Sequence, residues 1–263
     1  MPLLVALVVL AACSGNGNAS STASPEETVR RSIEAENAGD APTFLALWTD
    51  DGLRSYDAGT RADIESGAAP LGAEQSELRG FEGTRVMGGE ATTTAVVAVG
   101  MGLYRMRFDL ERTRGKWLIS GWQFLGPAPP PEGTPVAAVR AVDYAYDADT
   151  AAMTSGSFGV AFTNAGQEAH EIAVVAIPPD ATKAEAVLAL RNVRGIDFAG
   201  MPPGYRALGH LAYGDPGQSG TYSLARTLDP GRYAIACFLL VTTGARQGET
   251  HVAQGMLTEF RVG

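Results

Sequence analysis

The proline-rich segment 126–136, GPAPPPEGTPV, constrains this chain more than any other stretch. Such a composition makes a semi-rigid spacer and marks a domain boundary. It divides the 263 residues into two bodies, 25–125 and 137–263, each large enough to bury a core of its own. A hydrophobic fraction of 45% against a charged fraction of 19% supports that reading and argues against intrinsic disorder. The balance of 29 acidic against 20 basic residues, a net charge of −9, excludes the basic face that nucleic-acid binding requires. Nowhere does an apolar run reach the roughly 18–20 residues of a membrane-spanning helix. With 32 Gly and 15 Pro the chain is not all-helical, and two Cys cannot build a disulfide scaffold. The expected class is mixed: an α+β body followed by an all-β body.

Ahead of the first body stands MPLLVALVVLAACSG, an uninterrupted apolar run from Leu3 to Leu10 followed by Ala11, Ala12 and Cys13. That length suits the central region of an export signal. Leu10-Ala11-Ala12-Cys13 resembles the bacterial lipobox, which implies a signal peptide over 1–12, a lipid on Cys13 and an anchor on the outer face of the cytoplasmic membrane. Residues 13–24 are small and polar, as a flexible tether would be. Export signals normally open with Lys or Arg, and none precedes Arg30, so the expected start lies upstream of Met1. With Cys13 acylated, Cys237 is the remaining thiol, in an oxidising compartment where it is either buried and inert or engaged with a ligand.

In the first body, Ser24-Pro25-Glu26-Glu27 reads as a helix start with a capping box. Val29 and Ile33 follow at helical spacing and Gly39 ends the run. Asp40 can cap a second helix carrying Phe44, Leu47 and Trp48, and Asp50-Asp51-Gly52 then reads as a turn. Tyr104, Met106, Phe108 and Leu110 alternate with charged residues as a strand with one dry face. Arg114-Gly115-Lys116 turns the chain, and Trp117 to Leu125 returns. This pattern, with its GD…W…DDG corner and RGKWLISGW hairpin, resembles the SnoaL-like (nuclear transport factor 2-like) superfamily over about 100 residues. The resemblance implies a curved sheet around helices and a conical pocket for a small apolar ligand. Some relatives are isomerases or dehydratases that use an Asp/His pair or a buried Asp. This body contains no His, and Asp50, Asp51 and Asp57 near the expected mouth are explained by turn and capping duty. A binding role is therefore expected here, not an enzymatic one.

The second body holds the chemistry. Phe158, Val160 and Phe162 alternate in a strand ending at Thr163-Asn164-Ala165-Gly166, and His170 opens the strand that runs to Ile177. Thr182-Lys183-Ala184-Glu185 caps a short helix. Thr221 to Thr227, a Leu228-Asp229-Pro230-Gly231 turn and Arg232 to Leu240 read as a hairpin. His251 and Met256 close the series. Two His and one Cys with a weak axial Met make a type 1 copper site, in which the thiolate bonds covalently and two imidazoles hold both redox states. His170, then Cys237, His251 and Met256 stand in that order, and NAGxxxH, LDPGRYAIAC and HxxxxM surround them. Over about 125 residues the chain thus resembles the cupredoxin family, which includes plastocyanin and azurin. That resemblance implies a Greek-key sandwich, here with a helical insertion, that binds one copper for electron transfer or copper handling.

One departure concerns the 13 residues between Cys237 and His251, against a handful in blue-copper relatives. Lengthening a loop from about four to 13 residues costs only about 1 kcal/mol of closure entropy. The segment FLLVTTGARQGET can be drawn as a strand extension, a turn and a return, which would keep the ligands rigid. Three of the four residues also have a plain structural reading: Cys237 and Met256 as core fillers, His170 as a strand-edge cap. His210 has no partner at motif spacing and reads as structural. Zinc would accept Cys and two His, but methionine is a poor zinc ligand. No GxSxG elbow and no phosphate-binding glycine loop is present. The sequence therefore describes a non-enzymatic envelope lipoprotein that binds copper, with a redox or copper-handling protein partner. The alternative is a metal-free fold that serves as a ligand-binding or protein-interaction module.

Overall fold

The computed structural model describes residues 23–56, 60–69, 71–72, 75–195 and 198–263. The expected signal peptide, the lipidation residue Cys13 and Asp57 lie outside them. Among the described residues no helix is long and apolar enough to cross a membrane. The chain is mixed α/β, with three four-stranded sheets and a few short helices.

The first body opens with α1 (Pro25–Asn37), which Ser24 caps by accepting from the Glu27 amide at 3.2 Å. The Glu27 carboxylate pairs with Arg30 at 3.6 Å. Asp40 caps α2 (Ala41–Ala46) through the Thr43 amide. The expected turn at Asp50-Asp51-Gly52 is instead the first turn of α3 (Asp50–Ser55), capped by Thr49. Two aspartates in a first turn favour the positive helix end. Gly52 is needed there because a Cβ would stand 2.3 Å from the Ile119 carbonyl oxygen. Helix α4 (Arg61–Ser66) follows, and Arg61 reaches back to Asp50 at 2.9 Å.

Strands β1 (Ser76–Met87), β2 (Glu90–Val99), β3 (Gly102–Thr113) and β4 (Lys116–Pro127) form an antiparallel meander. The turn between β3 and β4 uses Arg114 and Gly115, both at positive φ, as tight hairpins of matching twist require. The meander packs on the helices through Val29, Phe44, Trp48, Leu53, Phe108, Leu110 and Ile119. A cavity of about 40 Å³ remains between them, lined by Ser32, Glu36, Trp48, Tyr56, Phe108 and Trp122 among others. That is room for a few waters. Its carboxylate is Glu36, which accepts from the Tyr56 hydroxyl at 2.7 Å; Asp50 and Asp51 pair at the surface with Arg61 and Arg54.

The second body contains two sheets. One has the order β10-β7-β5-β6, from β5 (Val136–Val142), β6 (Ala145–Ala148), β7 (Gly159–Asn164) and β10 (Ser219–Ser223). The other has the order β12-β11-β8-β9, from β8 (His170–Ala176), β9 (Arg206–Gly214), β11 (Gly231–Ala236) and β12 (Leu257–Val262). Their facing sides interdigitate through Val139, Val160, Phe162, Ile172, Val174, Ile235 and Phe260. Helix α5 (Lys183–Leu190), closed by the Thr182–Glu185 capping box, covers the far side of the second sheet. Strand β8 is therefore buried on both faces.

The expected hairpin over 221–240 does not form: β10 pairs with β7, and β11 lies between β8 and β12 in the other sheet. The Leu228–Gly231 segment carries the chain from sheet to sheet, and the Tyr233 hydroxyl pins it by donating to the Asp229 carbonyl at 2.8 Å. Nor is the proline-rich segment a bare spacer. The Ala128 amide donates to Leu103 O at 2.8 Å, its carbonyl accepts from Ser223 at 2.9 Å, and Pro130 packs over Gly159.

Candidate metal centre

Three of the four expected ligands meet at one end of the sandwich. The donor atoms of His170, Cys237 and His251 lie within 4.8 Å of one another, and all three residues are fully buried. His170 Nδ1 is 3.0 Å from His251 Nδ1, which is 3.3 Å from Cys237 Sγ. The fourth, Met256, is buried in the same core as Cys237. Main-chain bonds fix it to both neighbours: the Cys237 amide donates to Met256 O at 3.3 Å and the Met256 amide to His251 O at 3.1 Å.

Local sequence explains these positions. Asn164 ends β7 and is fully buried. Its side-chain amide donates to Glu168 O and Gly214 O, and its oxygen accepts from the Gly166 amide. This shapes the turn that delivers His170 to the start of β8. Cys237 follows β11 directly. His251 begins a short 3-10 turn (Val252–Gln254), and its amide donates to Leu239 O at 2.9 Å.

The 13-residue loop turns back on itself as expected, but without a strand extension: β11 stops at Ala236, and a 3-10 turn at Gly244–Arg246 forms the tip. Leu240 and Thr250 form an antiparallel bridge, the Val241 amide donates to Glu249 O at 2.8 Å, and the Thr250 hydroxyl donates to Arg191 O.

Two carboxylates that sequence reasoning missed hold the imidazoles. Asp143, in the two-residue turn between β5 and β6, lies 3.1 Å from His170 Nε2 and accepts from the Gln167 amide at 2.9 Å. Glu168 lies 2.8 Å from His251 Nε2. Its other oxygen accepts from the amides and hydroxyls of Thr242 and Thr243, so one carboxylate clamps both a ligand and the long loop. Ionised carboxylates only accept. Both imidazoles therefore carry their proton on Nε2 when neutral, and both Nδ1 lone pairs face inward. The Tyr144 ring, from a residue at φ 69°, packs edge-on against His251 at 5.5 Å.

The electrostatics follow from burial. Burial pushes the Cys237 thiol up to about 12, and the nearby Glu171 charge adds to it. Burial also lowers His170, against the opposing pull of Asp143, and so keeps its lone pair free. For Glu168 burial acts upward, but the donors from Thr242, His251 and Thr243 prevail and hold it at about 2.

His210 belongs to a second cluster. Its Nδ1 pairs with Glu171 at 2.9 Å, and the other Glu171 oxygen accepts from the Phe238 amide at 2.8 Å. The His210 ring stacks on Phe198, with centroids 4.6 Å apart.

The site fits a soft first-row metal ion. Two lone pairs 3.0 Å apart repel unless a cation or a proton stands between them. Two imidazoles with a thiol suit copper or zinc, and the outer carboxylates supply the support such ligands usually have.

No protein-family model matches the chain, and no curated protein matches it. Solved structures resemble parts of it. Reduced auracyanin from Roseiflexus castenholzii is 23% identical with a TM-score of 0.29, over 50% of this chain and 98% of that one. An NTF2-like protein of unknown function from Pseudomonas putida KT2440 is 18% identical with a TM-score of 0.31, over 41% of this chain and 87% of that one. A cystatin-like-fold protein of unknown function from Nostoc punctiforme is 15% identical with a TM-score of 0.31, over 38% and 85%. At such scores these likenesses carry no functional argument.

Proposed function

We propose that the second body is a cupredoxin-like domain that binds one copper through His170, Cys237 and His251, with Met256 as the weak fourth ligand. The observation that carries this reading is the pair of inward-facing Nδ1 atoms 3.0 Å apart beside a buried thiol. Bound there, copper would supply one-electron chemistry or be held as cargo. The chain's own residues do the rest. Asp143 and Glu168 hold the imidazoles in the donor tautomer, Gly166 lets Asp143 approach His170, and Tyr144 helps shield His251 from water. In this reading the chain is no enzyme. It is a lipoprotein anchored at Cys13 in the bacterial envelope, beside a redox or copper-handling partner, and its first body is SnoaL-like.

The test is to titrate the reduced full chain with Cu(II), recording visible absorption and the copper-to-protein ratio together. One copper per chain with an intense thiolate-to-copper band, both lost in Cys237→Ser, is the expected result. Colourless protein that still binds one copper would point to Cu(I) holding. Protein that binds none would leave the four residues as parts of the fold and favour the metal-free interaction module.

A further inference from the structure

A cavity of about 490 Å³ lies where the two bodies meet, within the size range of small-molecule sites, which concentrate at domain interfaces. The first body contributes Arg79 and Gly100 to its wall; the second contributes Phe198, Leu208, His210 and Arg226. We propose that this cavity binds a small monocarboxylate with an apolar body.

Charge selects the anion. Arg226 is held in place by two neutral acceptors: its Nε donates to Met101 Sδ at 3.3 Å and its Nη2 to Leu208 O at 3.2 Å. Among the described residues no carboxylate lies within 4.0 Å of it. In a chain of net charge −9 this exposed guanidinium is held by neutral acceptors and has no counter-ion among the described residues. A planar fork of donors matches a carboxylate or a phosphate, and the apolar surface beside it favours a carboxylate on an apolar body. Arg79 stands on the same wall, but Glu77 pairs with it at 3.0 Å and its Nη2 also donates to Ala225 O at 2.8 Å. The wall therefore carries one uncompensated positive charge from these groups, and Glu77 repels a dianion.

Shape selects the body. Leu208, Ala225 and the Phe198 ring give the cavity apolar surface. Phe198 sits at φ 52°, a left-handed conformation that costs a phenylalanine stability and is commonest at functional sites. Its stack on His210, itself fixed by Glu171, holds the ring in place. Gly100 and Gly209, both at positive φ, let the two backbones close to within a few ångströms, so the cavity depends on both bodies being docked.

The test is isothermal titration of the metal-free full chain with benzoate, its neutral isostere benzamide, and inorganic phosphate. Leaving the metal out makes the outcome independent of the copper reading. The expected result is one benzoate per chain, bound at least about tenfold more tightly than benzamide or phosphate, as one charge-assisted pair implies. Arg226→Gln should bring benzoate down to the benzamide level. No saturable binding of benzoate, or equal affinity for benzoate and benzamide, overturns the proposal, whether or not the variant folds. Tighter binding of phosphate than of benzoate would overturn it in favour of a dianion site.

Discussion

Gly166 is the position where the metal proposal can be attacked without touching a ligand. A Cβ there would stand 2.3 Å from Asp143 Oδ1 and 2.6 Å from His170 Nε2, both far inside contact distance. Asp143 cannot easily retreat, because the Gln167 amide holds both its oxygens. Gly166→Ala should therefore swing His170 out of line and weaken copper binding by about 10–100-fold, as loss of outer support does. Competition against a copper chelator measures this, and binding as tight as the parent's would count against the site. Glu168→Gln should cost a similar factor and also loosen the loop, since the same carboxylate holds Thr242 and Thr243. A different carboxyl, Glu36, adds a pH dependence of opposite sign to that of Glu168. Burial raises Glu36, so its ionisation opposes folding. Its contribution is therefore fully present below the unfolded value near 4.5 and is lost as pH rises through the higher folded value. Glu36→Gln should then be more stable than the parent at pH 7 and lose that advantage below about pH 4.5, as denaturant midpoints at the two pH values would show. The meeting of His170, Cys237 and His251 was legible in the sequence because His and Cys are rare here and chemically specific, with three and two in the whole chain. Asp143 and Glu168 were not. They are two of 29 acidic residues, most such residues sit in water, and only the folded chain reveals which two face an imidazole.

Elements were read well where local chemistry decides them and poorly where a partner does. Ser24, Asp40 and Thr182 cap the helices that begin after them because capping is a contact over three residues. The Asp50-Asp51-Gly52 run misled for the converse reason. It has turn composition, yet Thr49 supplies a cap and the Ile119 backbone takes the space beside Gly52. Gly52→Ala should therefore destabilise the first body by about 1–3 kcal/mol through forced displacement of that backbone, read as a lower unfolding midpoint. The runs Thr221 to Thr227 and Arg232 to Leu240 marked two strands, found at Ser219–Ser223 and Gly231–Ala236, but could not say that they belong to opposite sheets. A Leu-Asp-Pro-Gly sequence serves a hairpin and a sheet crossing equally well. What distinguishes the crossing is the Tyr233 hydroxyl on the Asp229 carbonyl. Tyr233→Phe should cost about 1 kcal/mol, the usual net worth of one hydrogen bond, with the metal centre unchanged. A loss of copper affinity in that variant would mean that the crossing also positions Cys237.

The largest gap between sequence and structure lies between the bodies. Proline-rich composition reports stiffness and is silent about what packs against it, so 126–136 read as a spacer. In the folded chain the turn between β2 and β3 enters the second body. Met101 is fully buried in that body's core; its amide donates to His210 O and its carbonyl accepts from Ala225 N, both at 2.8 Å. Gly102 bridges to Leu224, and the Tyr104 hydroxyl donates to Leu211 O at 3.2 Å. A methionine between two glycines of a turn carries no sequence signal for this, because its backbone partners His210 and Ala225 are more than 100 residues away. The arrangement has a thermodynamic consequence. Met101 is carried by the first body's sheet and buried in the second body's core, so the bodies cannot separate without exposing it, and the pair should melt together. Met101→Ala removes that docked side chain, at a cost of about 2–5 kcal/mol for a buried methionine. Calorimetry of the parent should therefore show one transition, with van't Hoff and calorimetric enthalpies in agreement. The variant should show two, the first at a lower temperature. Two transitions already present in the parent would mean that the bodies are docked but energetically independent.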